Sequence, residues 1–246
     1  MSSWLRLASL LVLLAVWHVL SLHADPRTFP GPSAVALAMR DEGAKLPVNL
    51  AITLLRVAVS FAVAMALGSA LGLLMGRSRA ADDVIDPWLI VLLNLPALVI
   101  IVLAYVWGGL NEAAGIVAVV LNKLPNTTVT VREGARSLDR GLDEMAQVFR
   151  MTAWVRLRHV VLPQLAPYFA AATRSGLSLV WKIVLVAELL GRSDGVGAEI
   201  YTAFQLFDVA RILAYAIAFV VVMVAIETFL VQPLERYVSR WRPKAL

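Results

Sequence analysis

The chain has 246 residues, of which 60% are hydrophobic and 16% charged, and its mean hydropathy is +0.79. Several apolar runs approach twenty residues, which excludes an ordinary soluble domain and reads as an all-α, polytopic membrane protein. With no cysteine and three scattered histidines (His18, His23, His159) no metal or thiol site is expected, and the net charge of +5 is read as loop orientation, not nucleic-acid binding.

Six membrane spans are predicted, in chain order. The first runs from Trp4 to Leu22; its n-region holds only Arg6 and LHAD offers no small-x-small cleavage site, so an uncleaved helix is expected. The second, Leu50 to Met75, carries Arg56, expected to snorkel outward, and Gly68, Gly72 and, just past its end, Gly76 stand one helical turn apart, a close-packing signal. The third is read as one crossing from Pro87 to Trp107. The fourth, Glu112 to Val131, contains Lys123 and is expected to kink or break at Pro125. The fifth, Ala166 to Leu190, carries Lys182 and Glu188, and the sixth, Ile212 to Gln232, carries Glu227. Between the last two, GRSDGVGAEIYTAFQLFD opens with a glycine-rich turn and continues as a short helix through Ile200, Phe204 and Phe207.

Lys and Arg concentrate in cytoplasmic segments. With the N-terminus inside, those segments hold 13 (Arg6, Arg77, Arg79, Arg132, Arg136, Arg140, Arg150, Arg156, Arg158, Arg236, Arg240, Arg242, Lys244) against 5 outside (Arg27, Arg40, Lys45, Arg192, Arg211). Both termini are therefore expected to be cytoplasmic, and residues 132–165 form the longest cytoplasmic loop.

That loop contains EMAQVFRMTAWVRLRHVVLP, polar yet helix-patterned. Leu142, Met145, Ala146 and Phe149 fall on one helical face, and Asp143, Glu144, Gln147 and Arg150 on the other. Asp139 is the expected N-cap. A second helix is expected with Trp154, Leu157 and Val161 on one side, and Pro163 is expected to turn the chain into the fifth span. Amphipathicity alone leaves two uses open: a helix pair lying on anionic lipid, or a knob for a soluble partner.

The same stretch resembles the EAA loop of ABC importer permeases, in which Glu-Ala-Ala is followed after three residues by Gly and after about nine more by an Ile-x-Leu-Pro-like end. Glu144, Ala146, Val160, Leu162 and Pro163 match, whereas Met145 replaces an alanine and Arg150 replaces the glycine. FPGPSAV, TLLRVAVSFAVAMALGSALGLLMGRS, WKIVLVAELLGRSDGVG and PLERYVSRW also look like the nitrate, sulfonate and taurine branch. The resemblance implies a type I permease-like core: residues 1–49 as first helix and external connector, 50–232 as five-helix core with the loop at about 132–165, and 233–246 as a basic cytoplasmic tail. It implies a second permease copy, a cytoplasmic ABC ATPase dimer and an external solute-binding protein as partners. Leu142, Glu144, Met145, Ala146, Phe149, Arg150, Leu162 and Pro163 would then dock the ATPase. Where the family has glycine, Arg150 is expected to stay helical, moving the turn to Met151 and Thr152. The implied solute is a small anion such as a sulfonate, taurine or nitrate, with pyrimidine-type vitamin precursors as the alternative.

The chain itself fits that division of labour. Its four lysines follow Ala44, Asn122, Trp181 and Pro243, so no Walker A glycine-lysine pair exists, and no catalytic residue or cofactor is expected. Lys123, Lys182, Glu188 and Glu227 are costly at membrane depth. They read either as structural ion pairs or as the lining of a solute path, and on the second reading an ion- or proton-coupled secondary transporter is the competing function.

Overall fold

The computed structural model describes residues 3–233. Every element in them is helical: α1 (Ser3–His23), α2 (Pro32–Asp41), α3 (Lys45–Arg77), α4 (Arg79–Asn94), α5 (Ala97–Gly108), α6 (Glu112–Arg136), α7 (Arg140–Val148), α8 (Ala153–Arg156), α9 (Leu162–Gly191), α10 (Val196–Gln205) and α11 (Val209–Ile226). Leu157–Val161 and Glu227–Val231 are π-turns. Among the described residues four helical stretches are long and apolar enough to cross a membrane: Lys45–Arg77, Glu112–Arg136, Ala153–Gly191 and Val209–Val231. The pair α4 and α5 makes a fifth if taken together, and Ala8–His23 is a shorter apolar helix. The tail with Arg236, Arg240, Arg242 and Lys244, and PLERYVSRW beyond Pro233, lie outside the described residues.

Proline behaves differently from expectation at three places. The third span is not one rod, because α4 and α5 meet at a 102° bend. A residue preceding proline is pushed out of the helical region, and Leu95 (φ −74°, ψ 128°) is extended just before Pro96. Pro125, by contrast, breaks nothing: it is buried, and α6, which packs against α4 and α5, runs through it. Packing there outweighs a penalty of about 3 kcal/mol for proline in a helix interior. Pro163 does not turn the chain either, since Ala153–Gly191 is one helical stretch of 39 residues. A prolyl ring collides with the carbonyl four residues back, here that of His159. The π-turn Leu157–Val161 surrounds that residue, and its wider winding, closed by Leu162 N–H on the Leu157 carbonyl, makes the room. The second π-turn, Glu227–Val231, precedes Pro233 by the same interval.

The chain divides into two compact units. The first comprises the described residues up to Leu54 with Glu188–Val224. In it α1 packs on α2, and the Trp17 indole donates to the Pro30 carbonyl at 3.1 Å. The second comprises Leu55–Ala187 and the described residues from Ala225 on. Its core joins Val57 of α3, Ile101 and Tyr105 of α5, Ala118 of α6, and Val180 and Val184 of α9. Tyr105 Oη donates to the Ala187 carbonyl at 2.9 Å, so the one polar atom of this large side chain is satisfied inside the core.

The glycine ladder of α3 is a packing surface, as the spacing predicts. A Cβ at Gly72 would meet the Thr128 carbonyl oxygen at 2.6 Å, and one at Gly76 would meet Ala135 Cβ at 2.4 Å. Thus α3 and α6 approach backbone to backbone. Arg56 does not snorkel: it is buried, and its guanidinium forks onto Glu112, with Nε–Oε1 at 2.7 Å and Nη2–Oε2 at 2.9 Å. The bidentate fit explains why the charge stays inside.

Candidate functional site

The segment following α6 folds as a hairpin whose root is tied on two sides. At the end of α6, Arg132 binds Asp82 at 3.2 Å and also binds Asp86, while Arg136 binds Asp82 and reaches Glu133 at 3.2 Å. Ser137 Oγ and Tyr168 Oη are hydrogen-bonded at 2.8 Å, and the Asp139 N–H donates to Gln164 Oε1 at 2.9 Å, which fastens the root to α9. Asp139 is the cap that the sequence predicts, its Oδ1 accepting from Gly141 N–H at 2.7 Å.

The tip of the hairpin overturns one expectation. Arg150 is not helical; its φ is +48°. Phe149 ends α7, the Arg150 N–H returns to the Gln147 carbonyl at 2.9 Å, and the Met151 N–H returns to the Ala146 carbonyl at 2.9 Å. Those two bonds are the Schellman closure, which demands a left-handed residue at this place and explains why the family puts glycine there. The arginine takes the glycine's conformation and does not shift the turn. Phe207 (φ +54°) closes α10 in the same way.

After the turn Thr152 caps α8, accepting from Val155 N–H at 3.4 Å. The two arms are braced by Arg156, which holds Asp143 with two parallel bonds, the Nε–Oδ1 one at 2.8 Å. Ala146 is buried at the crossing, so the predicted apolar face divides: alanine inward, Leu142, Met145 and Phe149 outward. Val148 (79% exposed), Phe149 (70%) and Trp154 (66%) form an apolar tip, with Glu144 exposed beside it. Leu162 is partly exposed and Pro163 half-buried farther along the second arm. Sequence periodicity missed the Asp143–Arg156 brace, whose signal was a pair of opposite charges on the facing sides of two helices joined by a short turn.

Of the four ionisable residues predicted at membrane depth, Lys123, Lys182 and Glu227 belong to the second unit and Glu188 to the first. Lys123 is buried against Gly176 of α9, where a Cβ would meet its Cε at 2.1 Å, and it donates to the Ala172 carbonyl at 3.1 Å. Lys182 is exposed, with its ammonium 5.4 Å from the Trp181 ring centre. Glu227 is half-buried at the start of its π-turn, and among the described residues it forms no ion pair with either lysine. Glu188 is buried in the first unit, where Thr53 Oγ1 lies 2.9 Å from both carboxylate oxygens and the Gly197 N–H donates to Oε2 at 2.9 Å.

A family model described as the binding-protein-dependent transport system inner membrane component matches residues 64–241, which includes the whole hairpin. The chain belongs to this family. It is an ABC importer permease of the nitrate and sulfonate type, a multi-pass protein of the bacterial cytoplasmic membrane. The permease is 30% identical over 235 residues to the putative aliphatic sulfonates transport permease protein SsuC of Bacillus subtilis, covering 94% of this chain and 85% of that one. It is 31% identical over 235 residues to its namesake in Escherichia coli, covering 94% and 89%. Against the bicarbonate transport system permease protein CmpB of Synechococcus elongatus the identity is 27% over 252 residues, covering 96% and 89%. Among solved structures, an inward-facing MetNI methionine ABC transporter shares the permease fold with a TM-score of 0.62 at 16% identity, covering 79% of this chain and 94% of that one.

Proposed function

We propose that two copies of this permease form the pathway of an ATP-driven importer for a small anion, delivered by an external binding protein, and that an ATPase seats on the α7–α8 hairpin. The observation that carries the proposal is the hairpin's construction: braced internally by Asp143 and Arg156, fastened at its root, and apolar at its exposed tip. An exposed cluster of Val148, Phe149 and Trp154 on a rigid support has the make-up of an interface core. Ala153–Gly191 then carries any displacement of the tip directly into a membrane span, for at 39 residues it is about 58 Å long against a hydrocarbon core of about 30 Å. The anion class follows the relatives named for sulfonates and bicarbonate, and Lys182, exposed at membrane depth, is proposed to attract it. On this proposal both termini and the hairpin are cytoplasmic, and ATP hydrolysis belongs to the separate subunit.

The test uses the assembled transporter. Because Ala146 is buried, a cysteine replacing Val148 is the correct crosslinking probe, and it should bond to a cysteine placed in the ATPase surface. Glu144→Lys should abolish ATP-driven uptake while the chain inserts normally. Normal uptake by Glu144→Lys, with no crosslink from residue 148, would refute ATPase docking and leave the hairpin to the lipid surface. Lys182→Met should lower uptake at unchanged yield of complex; full uptake would remove Lys182 from the path.

A further inference from the structure

The start of α10 is held by an unusual set of acceptors. The first N–H groups of a helix lack intrahelical partners, and ordinarily a single side chain at the N-cap satisfies one of them. Here the N-cap is Gly195, which has no side chain and sits at φ +99°. Three successive amides are instead received by three side chains from other helices of the same unit. Gly195 N–H donates to Asn49 Oδ1 at 2.9 Å, Val196 N–H to Thr53 Oγ1 at 2.8 Å, and Gly197 N–H to Glu188 Oε2 at 2.9 Å. Asn49, Thr53 and Glu188 are 7%, 0% and 1% exposed.

The set is also linked within itself. Thr53 receives Val196 N–H while giving its one hydroxyl proton to the Glu188 carboxylate, so it works as donor and acceptor at once. Asn49 turns its amide nitrogen to Glu199 Oε1 at 3.1 Å, one turn farther along α10. Arg211 of α11 binds that same Glu199 and lies 2.8 Å from Glu42 Oε1. Both ends of the first turn of α10 are thereby fixed. Burying a carboxylate is expensive unless its oxygens are occupied, and capping a ten-residue helix does not require one.

We propose that Asn49, Thr53 and Glu188 are positioning residues for transport: they hold α10 in one seat on α3 and α9, and the permease's coupling of ATP hydrolysis to transport depends on that seat. This removes Glu188 from the solute path and gives it a different task. The coupling half of the proposal rests on the ATP-driven reading above; the seating half does not.

The experiment compares Thr53→Val, Thr53→Ser and Glu188→Ala in the complete transporter purified with its partner subunits. Two quantities are read: amide hydrogen exchange at residues 195–197, and ATP hydrolysis in the absence of solute. Thr53→Val and Glu188→Ala should each raise exchange at residues 195–197 at least tenfold, leave exchange in the 140–156 hairpin unchanged, and raise solute-independent hydrolysis. Thr53→Ser keeps both of the hydroxyl's bonds and should match the unaltered protein in both readouts. Exchange within twofold of the unaltered protein in Thr53→Val overturns the seating. Raised exchange with unchanged hydrolysis, or failure of Thr53→Val to assemble at all, reduces the triad to a folding brace and overturns the role in coupling. A wild-type complex that hydrolyses no ATP would refute the ATP-driven reading instead, and the exchange arm would still decide whether α10 is seated.

Discussion

Arg150 is where two descriptions of the hairpin predict opposite signs for one comparison. At φ +48° an L-residue sits in a conformation that costs about 1–2 kcal/mol and that glycine adopts freely. Glycine gives back about 0.5–1 kcal/mol through the larger freedom it loses on folding. Arg150→Gly and Arg150→Ala both remove the charge at the end of α7, so the difference between them isolates the backbone. The glycine variant should hold the turn more firmly by about 0.5–1 kcal/mol. That corresponds to about two- to fivefold slower hydrogen exchange at the amides of residues 150 and 151, the two that close the Schellman turn. Were residue 150 helical, alanine would be favoured by about 1 kcal/mol and the order would invert. Exchange measured on the purified full chain therefore decides the matter, and slower exchange in Arg150→Ala than in Arg150→Gly would refute the left-handed turn.

Three other expectations follow from the packing and the charges. The Asp143–Arg156 brace, with side chains 34% and 30% exposed, should show a coupling of about 0.2–1 kcal/mol in a double-mutant cycle and shrink with added salt; the pair Asp143→Arg with Arg156→Asp should recover much of it. Gly72→Leu, whose Cβ would begin 2.6 Å from a carbonyl oxygen of α6, should cost about 1–3 kcal/mol or more and cut the yield of folded permease. Ala70→Leu, on the exposed side of the same helix, should be tolerated, and equal yields would show that the ladder is not a tight contact. Single cysteines at Ser137 and Ser193 of this cysteine-free chain should differ in labelling by an impermeant reagent on intact cells, only residue 193 reacting; labelling at 137 would invert the proposed orientation.

Apolar runs and their periodicity made α3, α6, α9 and α11 legible in the sequence, because length and composition alone license a crossing. The glycine ladder was legible for a similar reason: three glycines at one-turn spacing have few other uses. Proline was harder to read. Pro96, Pro125 and Pro163 share the same local chemistry, yet the first bends the chain, the second is absorbed by packing and the third is accommodated by a π-turn. Which response follows depends on neighbours remote in sequence. Arg150 shows the opposite case, in which a local rule about left-handed residues yielded to the hydrogen bonds closing α7. The anchoring of α10 joins Asn49 to Gly195 and Thr53 to Val196, and neither periodicity nor motif spacing reports contacts of such range.

The π-turn before Pro163 also sets an angular phase. An α-helix advances about 100° per residue, so winding one segment more widely rotates everything beyond it about the helix axis. The direction in which the apolar tip points is consequently written in Leu157–Val161, apart from the residues that make the tip. Replacing Pro163 with alanine, or deleting one residue from that turn, would let the α ladder close and swing the same intact hairpin to a new bearing on an unchanged span. A partner with a fixed groove would then meet the wrong side of it.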